Sequence, residues 1–504
     1  MLGNADGSRQ NPPWNYYTRR EGIRAVALWA AAKVSVSLKS RRIMARASYG
    51  LLKVAMAVLL CAAGYQWRDS DTAHPFVQDA RTHIKHVVII VQENRSFDNL
   101  FHGYPGADWA SYGLGHDGKR IPLRPISFAA GYDISHGYRD FLQAYHGGRM
   151  DRFDLVRAGR QPGALGKKAR VPNAAYGYVP LDETEPYFQM AQRYVLADRM
   201  FQSNMDQSFA AHLYLVAGQA AHTVNVPSGR PWGCDATPGA RVRTLRTDRT
   251  VGNAIFPCFS FRTLADELDE HGLSWRYYAP RVDNGATWMH FLAMHPGARQ
   301  EGAGLEFGQL WSAFDAIVQV RYGPEWSTNI VSPETTVLHD VAQGDLAAVT
   351  WIVPDWKHSD HALSRSATGP DWVASIVNTI GKSRFWRDTA IIVLWDDSGG
   401  WYDHVPPPQL DYDGLGDRVP LLVISPYSRH GYVSHTQYEF GSILKFTETI
   451  FGLRTLARSD ARANNLDECF DFEQPADAFV PIATMRNAAW FFKQIPSTIP
   501  PDTD

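Results

Sequence analysis

The sequence predicts an α/β fold, a doubly wound and mostly parallel sheet with helices on both faces, and three observations predict it. First, four short runs are apolar on every face: residues 87–91 (VVIIV), 347–353 (AAVTWIV), 390–395 (AIIVLW) and 419–424 (VPLLVI). Strands with both faces covered read in this unbroken way, whereas half-exposed strands alternate. Second, helical stretches at 263–270, 371–380 and 442–450 lie between or beyond these runs, and strands joined by long helix-bearing connections build parallel sheets. Third, two of the runs end in polar pairs, Glu93-Asn94 and Asp396-Asp397. Ligands in open α/β sheets bind beyond the carboxyl ends of strands.

The chain has 504 residues, 45% hydrophobic and 12% aromatic, enough for one large catalytic domain with insertions. We place that domain at 80–455, with a cap or insertion at about 224–343 where the strand–helix rhythm lapses. A C-terminal extension follows at 456–504, and its last 25 residues read as a loose tail. The net charge of −2 hides an asymmetry. Residues 1–63 hold ten Lys/Arg and two Asp/Glu, which leaves 40 against 50 in the remainder. An acidic body excludes nucleic acid as the expected partner.

The basic head reads as an export signal. Residues 40–46 (SRRIMAR) resemble a twin-arginine motif, an apolar stretch follows at 51–63, and small residues at 62–64 suit cleavage. A second pair, Arg19-Arg20, precedes another apolar run, so the start stays open. The expected location is periplasmic or secreted. Three cysteines remain past the head: Cys234 and Cys258, suited to a disulfide in an oxidising compartment, and Cys469, left over.

Acidic strand ends are poor for packing, because unpaired buried charge is costly. They suit a hard cation that needs oxygen ligands on a rigid support. Glu93, Asn94, Asp396 and Asp397 are therefore the expected metal residues, and the absence of His from this set favours Ca²⁺, Mg²⁺, Mn²⁺ or iron over zinc. The same ENRSFD stretch would also serve as a capped turn opening a helix. Arg95 is expected to pair with Asp98.

Three motifs carry a resemblance. Residues 92–101 (QENRSFDNLF), 395–405 (WDDSGGWYDHV) and 418–426 (RVPLLVISP) are similar to signatures of the bacterial phosphoesterase family that contains phospholipases C and the respiratory-burst-inhibiting acid phosphatase. The resemblance runs from about Lys85 to Leu453. It implies an alkaline-phosphatase-like α/β fold and the four metal residues above.

It also implies a Ser or Thr nucleophile at Ser208, with Ser203 as competitor. A hydroxyl at a helix N-terminus sits near positive partial charge, though the same place suits a capping serine. His136 and His361 are expected to line the phosphate pocket or protonate the leaving group, and His404 to lie beside the metal residues. His290 and His358 are weaker candidates, and Asp355 either orients a histidine or caps a turn. Trp351, Trp356, Trp395 and Trp401 read as core or rim, or as a wall for a choline group.

The function expected is an exported metal-dependent phosphoesterase working through a phosphoserine, on the acid-phosphatase branch. Ser208 in place of Thr and the short chain favour that branch. A phospholipase C acting on a phosphatidyl head group, with transient membrane contact, is the alternative. An inactive secreted binding protein is a third reading.

Overall fold

The computed structural model describes residues 75–159, 171–228, 232–280 and 312–494. The basic head with its arginine pairs lies outside the described residues, as does His290. Among the described residues no helix is long and apolar enough to cross a membrane.

A nine-stranded sheet organises the chain. Its strands are β1 (His86–Gln92), β2 (Val195–Phe201), β3 (Trp275–Tyr278), β4 (Ile330–Val331), β5 (Val349–Ile352), β6 (Thr389–Trp395), β7 (Arg418–Ile424), β8 (Tyr432–Ser434) and β9 (Tyr438–Glu439). They run in the order β4-β3-β5-β1-β6-β7-β2-β8, with β9 pairing along β2. Strand β1 lies between parallel β5 and β6, so Ile89 stands beside Trp351 on one side and Ile392 on the other. That position requires apolar residues on both faces, which VVIIV supplies. Strand β7 runs against both neighbours, β6 and β2. Its reversed direction brings its first residue, Arg418, to the end of the sheet where β1 and β6 finish.

Helices cover the sheet in two packed sets. Helix α1 (Pro75–His83), α3 (Ser208–Ala217) and α4 (Leu264–Glu270) join α7 (Phe440–Phe451) in one set. Helices α2 (Leu181–Arg193), α5 (Thr336–Ala342), α6 (Gly369–Gly381) and α8 (Ala488–Phe491) form the other. Every residue of α3 is buried, as its sequence SFAAHLYLVA demands, and Gly218 closes it with φ of 65°. Thr263 caps α4 through a reciprocal pair with Asp266.

The four sequence-predicted strands and three helices are present with shifted ends. Two expectations need correction. The stretch 224–343 is no mere cap, since β3 and β4 within it extend the central sheet. Strand β3 (WRYY) is too short and too polar at Arg276 to signal itself. The last residues are not all a loose tail: Ile482 and Phe491 are buried, Asn378 bonds the Ile482 backbone, and Asp371 pairs with Arg486. Single apolar anchors in a polar, Pro-containing segment carry no periodicity to read. Strand β2 also escaped, because Asp198 and Arg199 interrupt its run. The buried Asp198 is satisfied by the Asp108 backbone N–H at 2.8 Å and by His435. Cys234 and Cys258 form the disulfide with Cα atoms 4.6 Å apart, and Cys469 is free and buried.

Candidate functional site

The site begins where β1 and β6 end together. Gln92 and Trp395 are register partners, so the next residues of each strand, Glu93-Asn94 and Asp396-Asp397, emerge side by side. The Asp396 N–H continues the ladder to the Gln92 carbonyl at 2.9 Å, and the Asn94 N–H returns to Asp396 Oδ1 at 2.9 Å. Asn94 takes a left-handed backbone, φ 56°, to make that turn. Gly399 is required opposite it: a Cβ there would lie 2.4 Å from the Asn94 carbonyl oxygen.

All four predicted metal residues are therefore neighbours, and all are buried. Both carboxylate oxygens of Glu93, Oδ1 of Asn94 and Oδ2 of Asp396 have no hydrogen-bond partner. Buried oxygens are left unmatched only at a cost of about 1–3 kcal/mol each. Converging at one strand end, they fit a cation. Burial first and the Asp396 charge second push the Glu93 carboxyl up to about 7. The same two causes raise Asp397 to about 6.

Ser208 is brought to this centre by β2 and the turn after it. It is the first residue of α3, and its hydroxyl donates to Asp397 Oδ2 at 2.8 Å. Its competitor Ser203 points elsewhere, donating to Glu439 at 3.1 Å and accepting from the Phe440 N–H.

The predicted histidines take different places. His136 donates from Nδ1 to the Ile134 carbonyl at 2.7 Å and accepts at Nε2 from the Asn94 side-chain amide at 3.0 Å. That pattern turns Asn94 Oδ1 away from His136, and Asp397 lies 3.8 Å from the same Nε2. His361 is fully buried, donates from Nδ1 to the Ala362 carbonyl, packs on Trp356 at 4.5 Å, and acts electrostatically on Glu93. His404 bonds instead to Asp98 at 2.7 Å and Asp108 at 3.0 Å, in a group held by Arg418. His358 bonds Thr368 at 2.7 Å and packs near Trp372 and Phe491, while Asp355 caps the His358 N–H.

Arg95 does not pair with Asp98. It donates to the Asp360 carbonyl at 2.8 Å and lies between the rings of Phe128 and Trp401, each 5.0 Å away. Asp98 is taken by Arg418 and His404. Trp351, Trp356, Trp395 and Trp401 are all buried, so they form core rather than an open wall.

Sequence reasoning missed His212. It lies on α3 four residues after Ser208, hence on the same helix face. Its Nε2 is 3.5 Å from Glu93 Oε1 and 3.6 Å from Asp396 Oδ2. Burial disfavours charge on His212, yet the two carboxylates hold its pKa well above the usual value. For Asp396, burial is likewise outweighed by His212, which keeps it below the usual carboxylate range. The strand-end group thus includes a histidine beside the four predicted residues. Asp417 was also missed: it lines a small cavity with His136, Asp206, Asp397 and Ser398, and burial raises it to about 8. A larger cavity of about 1120 Å³ lies between α5, α6 and residues 481–492, with no acid or histidine in its wall.

An oxygen-rich pocket at paired strand ends, faced by a helix-borne serine, has the donor set to hold a cation beside a hydroxyl. The Phosphoesterase family model matches residues 84–454, and the chain belongs to that family. Among curated relatives, the non-hemolytic phospholipase C of Pseudomonas aeruginosa is 24% identical over 497 residues, covering 87% of this chain and 64% of that protein. The corresponding Burkholderia pseudomallei protein is 24% identical, covering 78% and 59%. The chain thus spans less than two thirds of the length of these two relatives. Phospholipase C A of Mycobacterium tuberculosis is 24% identical, covering 79% of each chain. A solved structure of an alkaline phosphatase superfamily protein from Vibrio parahaemolyticus aligns at 12% identity and a TM-score of 0.32, covering 78% of this chain and 79% of that one. The α/β assignment rests on the sheet itself.

Proposed function

We propose that the chain is an exported hydrolase of phosphate esters in which Ser208 is the nucleophile and Glu93, Asn94, Asp396 and Asp397 hold a divalent cation. The observation that carries this reading is the 2.8 Å hydrogen bond from Ser208 to Asp397, within a group of buried acceptors that lack partners. When bound, the cation would supply positive charge that polarises the phosphoryl group and favours the serine alkoxide. Ser208 passes its proton to Asp397 and forms the Oγ–P bond. The bond from phosphorus to the alcohol oxygen breaks, and the alcohol leaves with a proton from His361. Water then gives a proton to His361 and attacks the phosphoserine, the P–Oγ bond breaks, phosphate leaves, and Asp397 returns its proton to Ser208. His136 orients Asn94. His404 braces the neighbouring loop through Asp98. The Cys234–Cys258 disulfide supports a location outside the cytoplasm.

The primary substrate class we assign is the phosphate monoester. The test is purified protein on p-nitrophenyl phosphate and p-nitrophenyl phosphorylcholine, with and without chelator. Chelator-sensitive turnover of the monoester alone supports the phosphatase, turnover of the diester supports a phospholipase, and no turnover of either sinks both.

One observation favours the phospholipase as a second reading. Five of the eleven large apolar side chains exposed among the described residues fall within 109–155: Trp109, Tyr112, Leu114, Leu142 and Leu155. Tyr112 and Leu114 share a strand paired with 120–122, and Arg120 stacks over Tyr112 at 4.5 Å, with Lys119 and Arg124 exposed nearby. Apolar tips among basic residues suit an anionic lipid surface. On this reading, replacing Tyr112 and Leu114 together with Ser lowers sedimentation with anionic vesicles by about tenfold, while turnover of soluble ester is unchanged. Equal vesicle binding by the variant removes this support.

A further inference from the structure

We propose that His212 Nε2 is a direct ligand of the cation at Glu93 and Asp396, so that the site joins an imidazole nitrogen to carboxylate oxygens and takes a first-row transition ion or zinc ahead of calcium or magnesium. The proposal takes from the phosphoesterase reading only that a cation binds there.

Three observations carry it. One atom each of Glu93, His212 and Asp396 lie within 4.8 Å of one another. The separations of 3.5 and 3.6 Å from Nε2 to the two oxygens are too long for good hydrogen bonds. They match what a shared ion requires, because ligand bonds of about 2.0–2.2 Å place neighbouring donors roughly 3.0–3.5 Å apart. Second, Glu93 Oε1 and Asp396 Oδ2, the atoms facing His212, are buried without a hydrogen-bond partner. Third, His212 is buried on α3 among apolar neighbours, one turn after Ser208. A bond from His212 to the ion would fix the rotation of α3, and so the direction of the Ser208 hydroxyl, against the ends of β1 and β6.

The choice of ion follows from the donor set. Imidazole suits zinc, iron, cobalt and related ions, while calcium and magnesium prefer oxygen alone. Oxygens alone, without His212, would favour the harder ions instead.

The test uses the full chain, stripped with chelator and titrated with Mn²⁺, Co²⁺, Zn²⁺ and Ca²⁺ by calorimetry, with wild type beside His212→Ala and His212→Gln. Pulsed electron paramagnetic resonance of the Mn²⁺ form supplies a readout independent of activity. We expect nitrogen coupling from a bound imidazole in the wild type and its loss in both variants. Affinity for Co²⁺ and Zn²⁺ should fall by about 10–100-fold, with Ca²⁺ changed by less than about threefold. Thermal unfolding in chelator checks that the variants fold, and His212→Gln, which keeps size and polarity, stands in if His212→Ala does not. Absent nitrogen coupling in the wild type, or coupling that survives in the variants, overturns the proposal. An equal affinity loss for every ion also overturns it, and makes His212 a positioning residue. Glu93→Gln is the control for the wider reading: if ion binding is undisturbed there, the cation site itself is misplaced and the proposal falls with it.

Discussion

Two groups of two carboxylates and a histidine lie at the carboxyl end of this sheet, and they differ in what neutralises them. In the first, Asp98, Asp403 and His404 surround Arg418. The guanidinium donates to Asp403 at 2.8 and 3.2 Å and to Asp98 at 3.4 Å, and two backbone carbonyls take its remaining fork. In the second, Glu93, Asp396 and His212 have no arginine or lysine among them, and carboxylate oxygens there lack hydrogen-bond partners. Residue types alone would make both groups metal sites. Only the presence of a permanently charged arginine tells a brace from a receptor, because a buried carboxylate must be matched by some positive charge.

The sharpest way to test the receptor is at the group that faces it. Ser208→Ala should abolish turnover by on the order of 10⁴-fold or more, measured as kcat on the monoester, with cation affinity retained. Retained turnover in a folded Ser208→Ala protein would move the nucleophile elsewhere and end the contrast as drawn. The brace should break in the opposite manner. Arg418→Met leaves Asp98 and Asp403 buried without their cation, and should cost about 3–5 kcal/mol in denaturant unfolding. A loss below about 1 kcal/mol would mean that water or His404 alone suffices there.

The brace also carries a pH signature. Burial lowers the His404 pKa, but the hydrogen bond to Asp98 and the charges of Asp98 and Asp403 outweigh it and raise the value to about 9. A folded pKa above the ordinary 6.5 means that the contribution is fully present below pH 6.5 and is lost as pH rises through about 9. The side chain is about a quarter exposed, so screening reduces the span to about 2 kcal/mol. Unfolding free energy measured at pH 6.5 and pH 9.5 should fall by that amount more in wild type than in His404→Asn. Parallel pH profiles would show that His404 is uncharged in the fold.

Much of this was legible beforehand, for reasons that follow from the residues. Strands β1 and β6 announced themselves because both faces are covered and an unbroken apolar run has no other use. Glu93-Asn94 and Asp396-Asp397 stood out because charge directly after such a run needs a partner. The roles of Arg95 and Arg418 were not legible: both are buried arginines beside motif acids, and only the fold decides that Arg418 meets Asp98 and Asp403 while Arg95 bonds a backbone carbonyl. His212 was hidden for a related reason. Its partners lie over a hundred residues away on two strands, and the clue, four residues after Ser208, acquires meaning only once α3 is known to turn that face to β1 and β6. Strand β2 was lost because Asp198, a charge inside a strand, reads as a break until Asp108 and His435 are seen to satisfy it.

The smallest expected effect is the most discriminating, because its sign changes with the ion. Glu93→Gln removes one negative charge from a place where Glu93 and Asp396 repel each other. With chelator present, that relief and the lost contact with His212 largely cancel, and stability should rise or stay level within about 1 kcal/mol. With saturating cation, wild type gains the binding free energy, about 2.7 kcal/mol at a hundredfold excess over Kd, and the variant loses most of that gain. The matching change in the brace, Asp403→Asn, strips Arg418 of a partner that is never exchanged for solvent ions, and should destabilise equally in both conditions. Crossing the two variants with chelator and cation in thermal unfolding therefore separates receptor from brace without any assay of activity. If Asp403→Asn proves ion-dependent, or Glu93→Gln indifferent to the ion, the assignments of the two groups must be exchanged.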